Sequence, residues 1–158
     1  MEGTMELPTW ESAGVATGHP VVDDEHRRLL ELLHSLSQLL DNAEDGRDLD
    51  SITLLNCTSE LINHVVMHFM HEESLIDSLS TMPKVEKTLH KEEHQRWKKR
   101  IMDVVEPMRV ARTDLERRAR LSKLVDCVYS FWIGHVMQHD QHLTYHIKTQ
   151  GILPSQAF

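Results

Sequence analysis

A chain of 158 residues, 40% of them apolar, is long enough for one ordinary domain with a real core. Its 17 basic and 25 acidic residues give a formal net charge of -8, which argues against a nucleic-acid partner, since that would want a clustered basic face. No apolar run approaches the ~20 residues of a membrane span, and the first ten residues, MEGTMELPTW, lack the basic and apolar regions of a signal peptide.

Residues 1–21 read as an irregular N-terminal arm containing Trp10, Gly14 and Gly18, with Trp10 expected to pack the arm onto the domain. The first helix is predicted from about Val22 to Leu40. Val22, His26, Leu29, Leu33, Leu36 and Leu40 recur on one stripe at three- and four-residue steps. Pro20 precedes it, and Asp23, Asp24 and Glu25 fill a first turn where anions favour the helix dipole. Asp41–Asp48, with Gly46, reads as a loop. A second helix is predicted from about Ser51 to Leu79, with Leu54, Leu61, Val65, His68, Glu72 and Leu75 on its inner face. Ser80–Met82 break it, and Pro83 suits the first turn of the next helix. The third helix carries His90, His94, Trp97, Ile101, Val104 and Met108 in register, and Pro107 ends it or kinks its last turn. Thr113-x-x-Glu116 is a capping box opening a fourth helix, in which Leu121, Leu124, Val128, Trp132 and His135 align. Residues 151–158 read as an unstructured tail or the start of a linker. Short connections make sequential helices antiparallel neighbours. The fold predicted for residues 22–150 is therefore all-α, an up-down-up-down four-helix bundle. Cys57 and Cys127, far apart in predicted helices, read as buried free thiols, and the compartment as cytoplasm.

Histidine is the compositional outlier, with 12 copies and no consecutive tract. Seven residues stand at spacings that belong together: His26, His68-x-x-x-Glu72, His90-x-x-x-His94, and His135 with Asp140. Residues four apart on a helix point the same way, so two of these pairs each aim two ligands at one point, and all four helices contribute at similar depth. Five imidazoles and two carboxylates cannot saturate two separate octahedral metals. They suffice for two metals side by side if both carboxylates bridge, and the donor set suits iron, manganese or zinc better than calcium or magnesium. The step from His135 to Asp140 fits less well. Five residues is about 140° of rotation on a regular helix, so either Asp140 reaches from the flank or a local bulge brings it round. His139 is the rival ligand. His34, His64, His71, His142 and His146 are expected at the surface or rim. Met67, Met70, Met102 and Met137 read as core filling, with a gas channel as the alternative.

The set resembles the hemerythrin family of non-haem di-iron oxygen-binding proteins, in its bacterial branch. Trp10 and the run from Gly18 through His26 to Leu29 resemble the first family motif. His68-Phe69-Met-His-Glu72-Glu73 resembles its HFxxEE motif, His90-x-x-x-His94 the third, and His135-Val-Met-Gln-His-Asp140 its HxxxxD, so that the likeness covers roughly residues 10–145. It implies two irons with an oxo or hydroxo bridge. His90, His94 and His135 would hold one and His26 and His68 the other, with Glu72 and Asp140 bridging and O2 as ligand of the second iron. Phe69, Phe131, Trp132 and Leu30 would line the ligand pocket. Three positions depart from the family pattern: Glu25 stands where Gln is common, His19 where an apolar residue is usual, and Phe131-Trp132 where Trp-Leu precedes the last histidine.

The function expected is reversible O2 binding for delivery, storage or sensing, by a binding protein and not an enzyme, with O2 and small anions as its partners. A di-iron enzyme (peroxidase, ferroxidase or nitric-oxide scavenger) is the first alternative, although such oxidative sites usually carry more carboxylates. The second is an input domain of a larger signalling protein, with an output domain as partner.

Overall fold

Every predicted stripe folds as a helix in the computed structural model, which describes residues 6–151. Residues 1–5 of the arm and 152–158 of the tail lie outside the described residues. The elements are α1 (Trp10–Ala13), α2 (Pro20–Glu44), α3 (Ser51–Ser78), α4 (Lys84–Val105), α5 (Asp114–Phe131) and α6 (Gln141–Gln150). A 3-10 segment, Glu106–Val110, follows α4, and a π-helical segment, Trp132–His139, joins α5 to α6. There is no strand among the described residues, and none of their helices is long and apolar enough to cross a membrane. The architecture is a helical bundle in which α2 packs on α3 and α5, and α4 packs on the same two.

The arm is shorter and more ordered than its composition suggested. It contains the single turn α1, capped by Thr9, and the long helix begins at Pro20, two residues before the expected start. The reason lies in Asp23. Its carboxylate accepts from the Thr17 N–H and hydroxyl, both at 2.7 Å, and from the Gly18 N–H at 3.1 Å. Gly18 supplies the φ of +89° that this bend requires. His19 becomes the N-cap, its Nδ1 accepting from the Val22 N–H, and Pro20 fills N1, where its missing N–H costs nothing. The Trp10 ring packs against the main core, with the Arg27 guanidinium 4.8 Å from its centroid.

The other boundaries follow local chemistry. Helix α2 runs on to Glu44, so the expected loop from Asp41 shrinks to 45–50. Asp50 caps α3 by accepting from the Thr53 N–H at 2.9 Å. Pro83 stands just outside α4, as its N-cap and not in its first turn. Pro107 has no N–H to give the carbonyl four residues back, and α4 yields to a 3-10 turn there. The Thr113/Glu116 capping box opens α5 as expected.

Buried apolar residues form two clusters. The larger is built around Leu33, Leu61, Ile101, Leu124 and Phe131. The smaller comprises Val22, Leu75, Ile76, Leu79, Met82, Leu143 and Ile147. Along α2 the order is Val22, His26, Leu29; along α3 it is Val65, His68 and Glu72, Leu75. The sequence of clusters thus reverses from one helix to the next, as antiparallel packing demands. In both helices the candidate ligands fall between the clusters, so a polar layer lies across an otherwise apolar bundle.

Candidate metal centre

The structure brings all seven candidate ligands together, every one of them buried. They form two groups whose ligand atoms all lie within 4.8 Å of one another. One group is Glu72, His90, His94, His135 and Asp140; the other is His26, His68, Glu72 and Asp140. The two carboxylates belong to both groups. His94 Nε2 lies 3.0 Å from Glu72 Oε2, His90 and His135 Nε2 lie 3.1 and 2.9 Å from Asp140 Oδ1, and His26 Nε2 lies 3.0 Å from Asp140 Oδ2.

The π-helical segment sets the geometry of the last motif. The Asp140 N–H bonds to the His135 carbonyl, five residues back, at 3.1 Å. One residue more per turn brings Asp140 onto the face of His135, which a regular helix would not do. Asp140 is fully buried, and the rival His139 is exposed. Gly134, within the same segment, faces Trp97 of α4; a Cβ there would make ordinary contact with the Trp97 ring, at 3.4 Å.

Burial alone would drive these groups to their neutral forms. Their mutual charges prevail. Burial opposes a charge on His90, but Asp140 and Glu72 beside it push its pKa up to about 10. His135 is pushed up to about 9 by the same two carboxylates against the same opposition. Burial raises the carboxyl pKa values, and for Glu72 so does neighbouring Asp140, yet the imidazoles hold both well below the usual carboxylate range.

Hydrogen bonding does not account for the cluster. Glu72 Oε1, both oxygens of Asp140, and the Nε2 atoms of His26, His68 and His135 are buried without a hydrogen-bond partner. Buried polar atoms that make no hydrogen bond are costly even beside an opposite charge, and here they converge from α2, α3 and the π-helical segment. A nitrogen and oxygen donor set of this kind fits a borderline or hard transition metal such as iron, manganese or zinc. Metal ions fit these residues.

A surrounding shell of contacts orients the rings. Glu73 Oε1 accepts from His94 Nδ1 at 3.0 Å, and Glu25 Oε2 from His68 Nδ1 at 3.0 Å. Each leaves the far nitrogen aimed inward, the usual carboxylate–histidine–metal arrangement. Burial would raise the Glu25 pKa, but His68 and His71 lower it below its ordinary value. Neither acceptor role was legible in the sequence. Glu73 stands in the HFxxEE motif and Glu25 beside His26, but both contacts cross between helices.

The four candidate pocket residues are all buried in the larger cluster. Phe69 stacks on His94 at 4.2 Å between centroids, and Phe131 stacks on His135 at 5.1 Å. Trp132 lies 6.4 Å from His26, edge-on. Leu30 sits one turn beyond His26. Of the remaining histidines, expected at the surface or rim, His146 alone departs from that placement. His146 is buried, with its Nδ1 3.0 Å from the Thr81 hydroxyl. His64 and His71 are half-buried against Glu25. Met67 and Met70 are exposed, and so neither fill the core nor line a channel.

No curated protein and no solved structure gives a significant match to the chain. A family model, the hemerythrin HHE cation binding domain, matches residues 17–146, a span that takes in all seven clustered histidines and carboxylates. The chain belongs to the hemerythrin HHE cation-binding family.

Proposed function

We propose that the chain binds O2 reversibly at a di-iron centre and acts in oxygen delivery, storage or sensing, as a binding protein and not an enzyme. The observation that carries this reading is the asymmetry of the two ligand groups, five donors in one and four in the other, with Glu72 and Asp140 common to both. Two octahedral irons, if held by these groups with one solvent-derived bridge, would find the five-donor group sufficient for one of them. The four-donor group, to which His26 and His68 belong, would leave one position of the other for O2 or a small anion. Bound iron would supply the two electrons that a reversible O2 adduct requires.

The chain's own residues set the conditions. Two apolar clusters flank the site and restrict water. Trp132 stands edge-on to His26, on the four-donor half, and is itself fully buried, a placement that favours a dry ligand position. Histidine predominance favours oxygen binding over oxygen activation, for which bundle sites use more carboxylates. The two free thiols, Cys57 and Cys127, support a reducing compartment, the cytoplasm. Membership of the family's bacterial branch, and an output domain as partner, belong to the same reading.

The test is iron analysis of purified protein with optical spectra after anaerobic reduction, after air, and after renewed deoxygenation. Two irons per chain and a spectrum that returns on deoxygenation are expected. Irreversible oxidation with steady consumption of O2 or peroxide would favour an enzyme.

A further inference from the structure

We propose that Glu25 is the anionic positioning residue of the four-donor half: its carboxylate fixes His68 through Nδ1 and makes Nε2 a stronger donor to the metal. The inference rests on the di-metal reading of the site. Three histidines of α3, at 64, 68 and 71, converge on this one residue of α2. The Glu25 backbone carbonyl accepts from His64 Nε2 at 2.8 Å. Oε2 accepts from His68 Nδ1 at 3.0 Å, and Oε1 accepts from His71 Nδ1. A histidine that donates from Nδ1 presents its Nε2 lone pair, and His68 Nε2 faces the cluster, 3.8 Å from Glu72 Oε2.

The choice of glutamate matters because both oxygens are used. A glutamine has one acceptor oxygen and an NH2 group. It keeps the shape and one of the two acceptor contacts, but it removes the charge. The Glu25 side chain is only 14% exposed, so that its charge acts on His68 with little screening. An acceptor with full negative charge makes the imidazole more basic, which strengthens its bond to a metal and favours the oxidised metal. On the five-donor half Glu73 performs the same task for His94 from a more open position, 28% exposed.

The experiment compares iron-loaded wild type, Glu25→Gln and His64→Ala. It measures release of each metal to a chelator and the reduction potential of the centre. Glu25→Gln is expected to weaken retention of one of the two metals by about 10-fold or more, to leave the other unchanged, and to raise the potential. His64→Ala removes an α2–α3 contact to the same residue without touching the carboxylate, and is expected to match wild type in both. Wild-type values in Glu25→Gln overturn the proposal. So does a His64→Ala variant that reproduces its shifts, since the effect would then be helix docking. Should Glu25→Gln not fold, His71→Ala decides. It leaves the whole charge to His68, and the potential must fall; a potential that is unchanged or raised overturns the proposal. A wild-type protein that never holds a second metal overturns the di-metal reading instead.

Discussion

The backbone N–H of Asp140 reaches the carbonyl of His135 at 3.1 Å, five residues back. That bond closes a wider turn than an α-helix allows and places His135 and Asp140, five apart, on one face. The exposed His139 stands one residue earlier, on the outside. Asp140→Ala should therefore lower metal affinity by more than the ~10–100-fold typical of outer partners, because it removes a carboxylate common to both ligand groups. His139→Ala should leave metal content unchanged and stability within about 0.5 kcal/mol. Metal analysis and denaturant unfolding of the two variants check this. Loss of metal in His139→Ala alone would move the ligand set by one residue.

Chelation should separate fold from site. Four helices with continuous apolar stripes can hold together without metal, unlike a zinc finger. The metal-free layer nevertheless keeps seven buried polar side chains in the bundle. Circular dichroism should show helix retained after chelation, with a lower melting temperature. An unchanged melting temperature would sink the buried site.

The metal-free protein should also have an unusual pH profile. The folded pKa values of His90 and His135, about 10 and about 9, lie above the ordinary histidine value of about 6.5. Their contribution to stability is fully present below about 6.5 and is lost as pH rises through about 9 to about 10. Glu72 and Asp140 are depressed, so their contribution is present above the usual carboxylate range and is lost on strong acidification. Urea midpoints of chelated protein should fall through the alkaline range, and a flat profile there would refute the charge network. The metal-loaded protein should behave otherwise, since protons compete with metal for imidazole and weaken it on acidification.

Trp132 and Phe131 should be separable. Both are fully buried. Trp132→Ala should cost roughly 3–5 kcal/mol and speed autoxidation of the oxygenated protein, because the ring stands beside His26 on the four-donor half. Phe131→Ala should cost about as much stability, yet disturb the five-donor half through its stack on His135. Stopped-flow oxygenation followed by decay measures both. Equal decay in wild type and Trp132→Ala would place the ligand pocket elsewhere.

The sequence made the helices and the ligand depth legible because both depend on period. His68/Glu72 and His90/His94 are one turn apart, and the apolar stripes continue through them. Periodicity left two placements of Asp140 open, since a π turn has no residue signature of its own here. Helix ends were legible where a side chain makes the cap, as with Thr113 and Glu116. The start of α2 was misread because histidine is not among the preferred capping residues: His19 nevertheless caps the helix with its own side chain, and Asp23 folds the arm back through Thr17 and Gly18. The outer carboxylates, Glu25 and Glu73, were missed for a different reason. Their partners lie on other helices, and only the relative rotation of two packed helices decides which acid meets which ring.

The polar layer between the two apolar clusters has a kinetic consequence. Metal held by the clustered residues would tie the helices together at one height, so loaded protein should open as a single cooperative unit. Without metal, each end relies on its own contacts, and among the described residues the smaller cluster has seven buried apolar residues to resist opening. Local opening free energies then diverge along the bundle. Amide protons near Leu75, Leu79 and Leu143 should exchange with solvent well before those near Leu33 and Leu124, and metal should bring the two ends to a common rate.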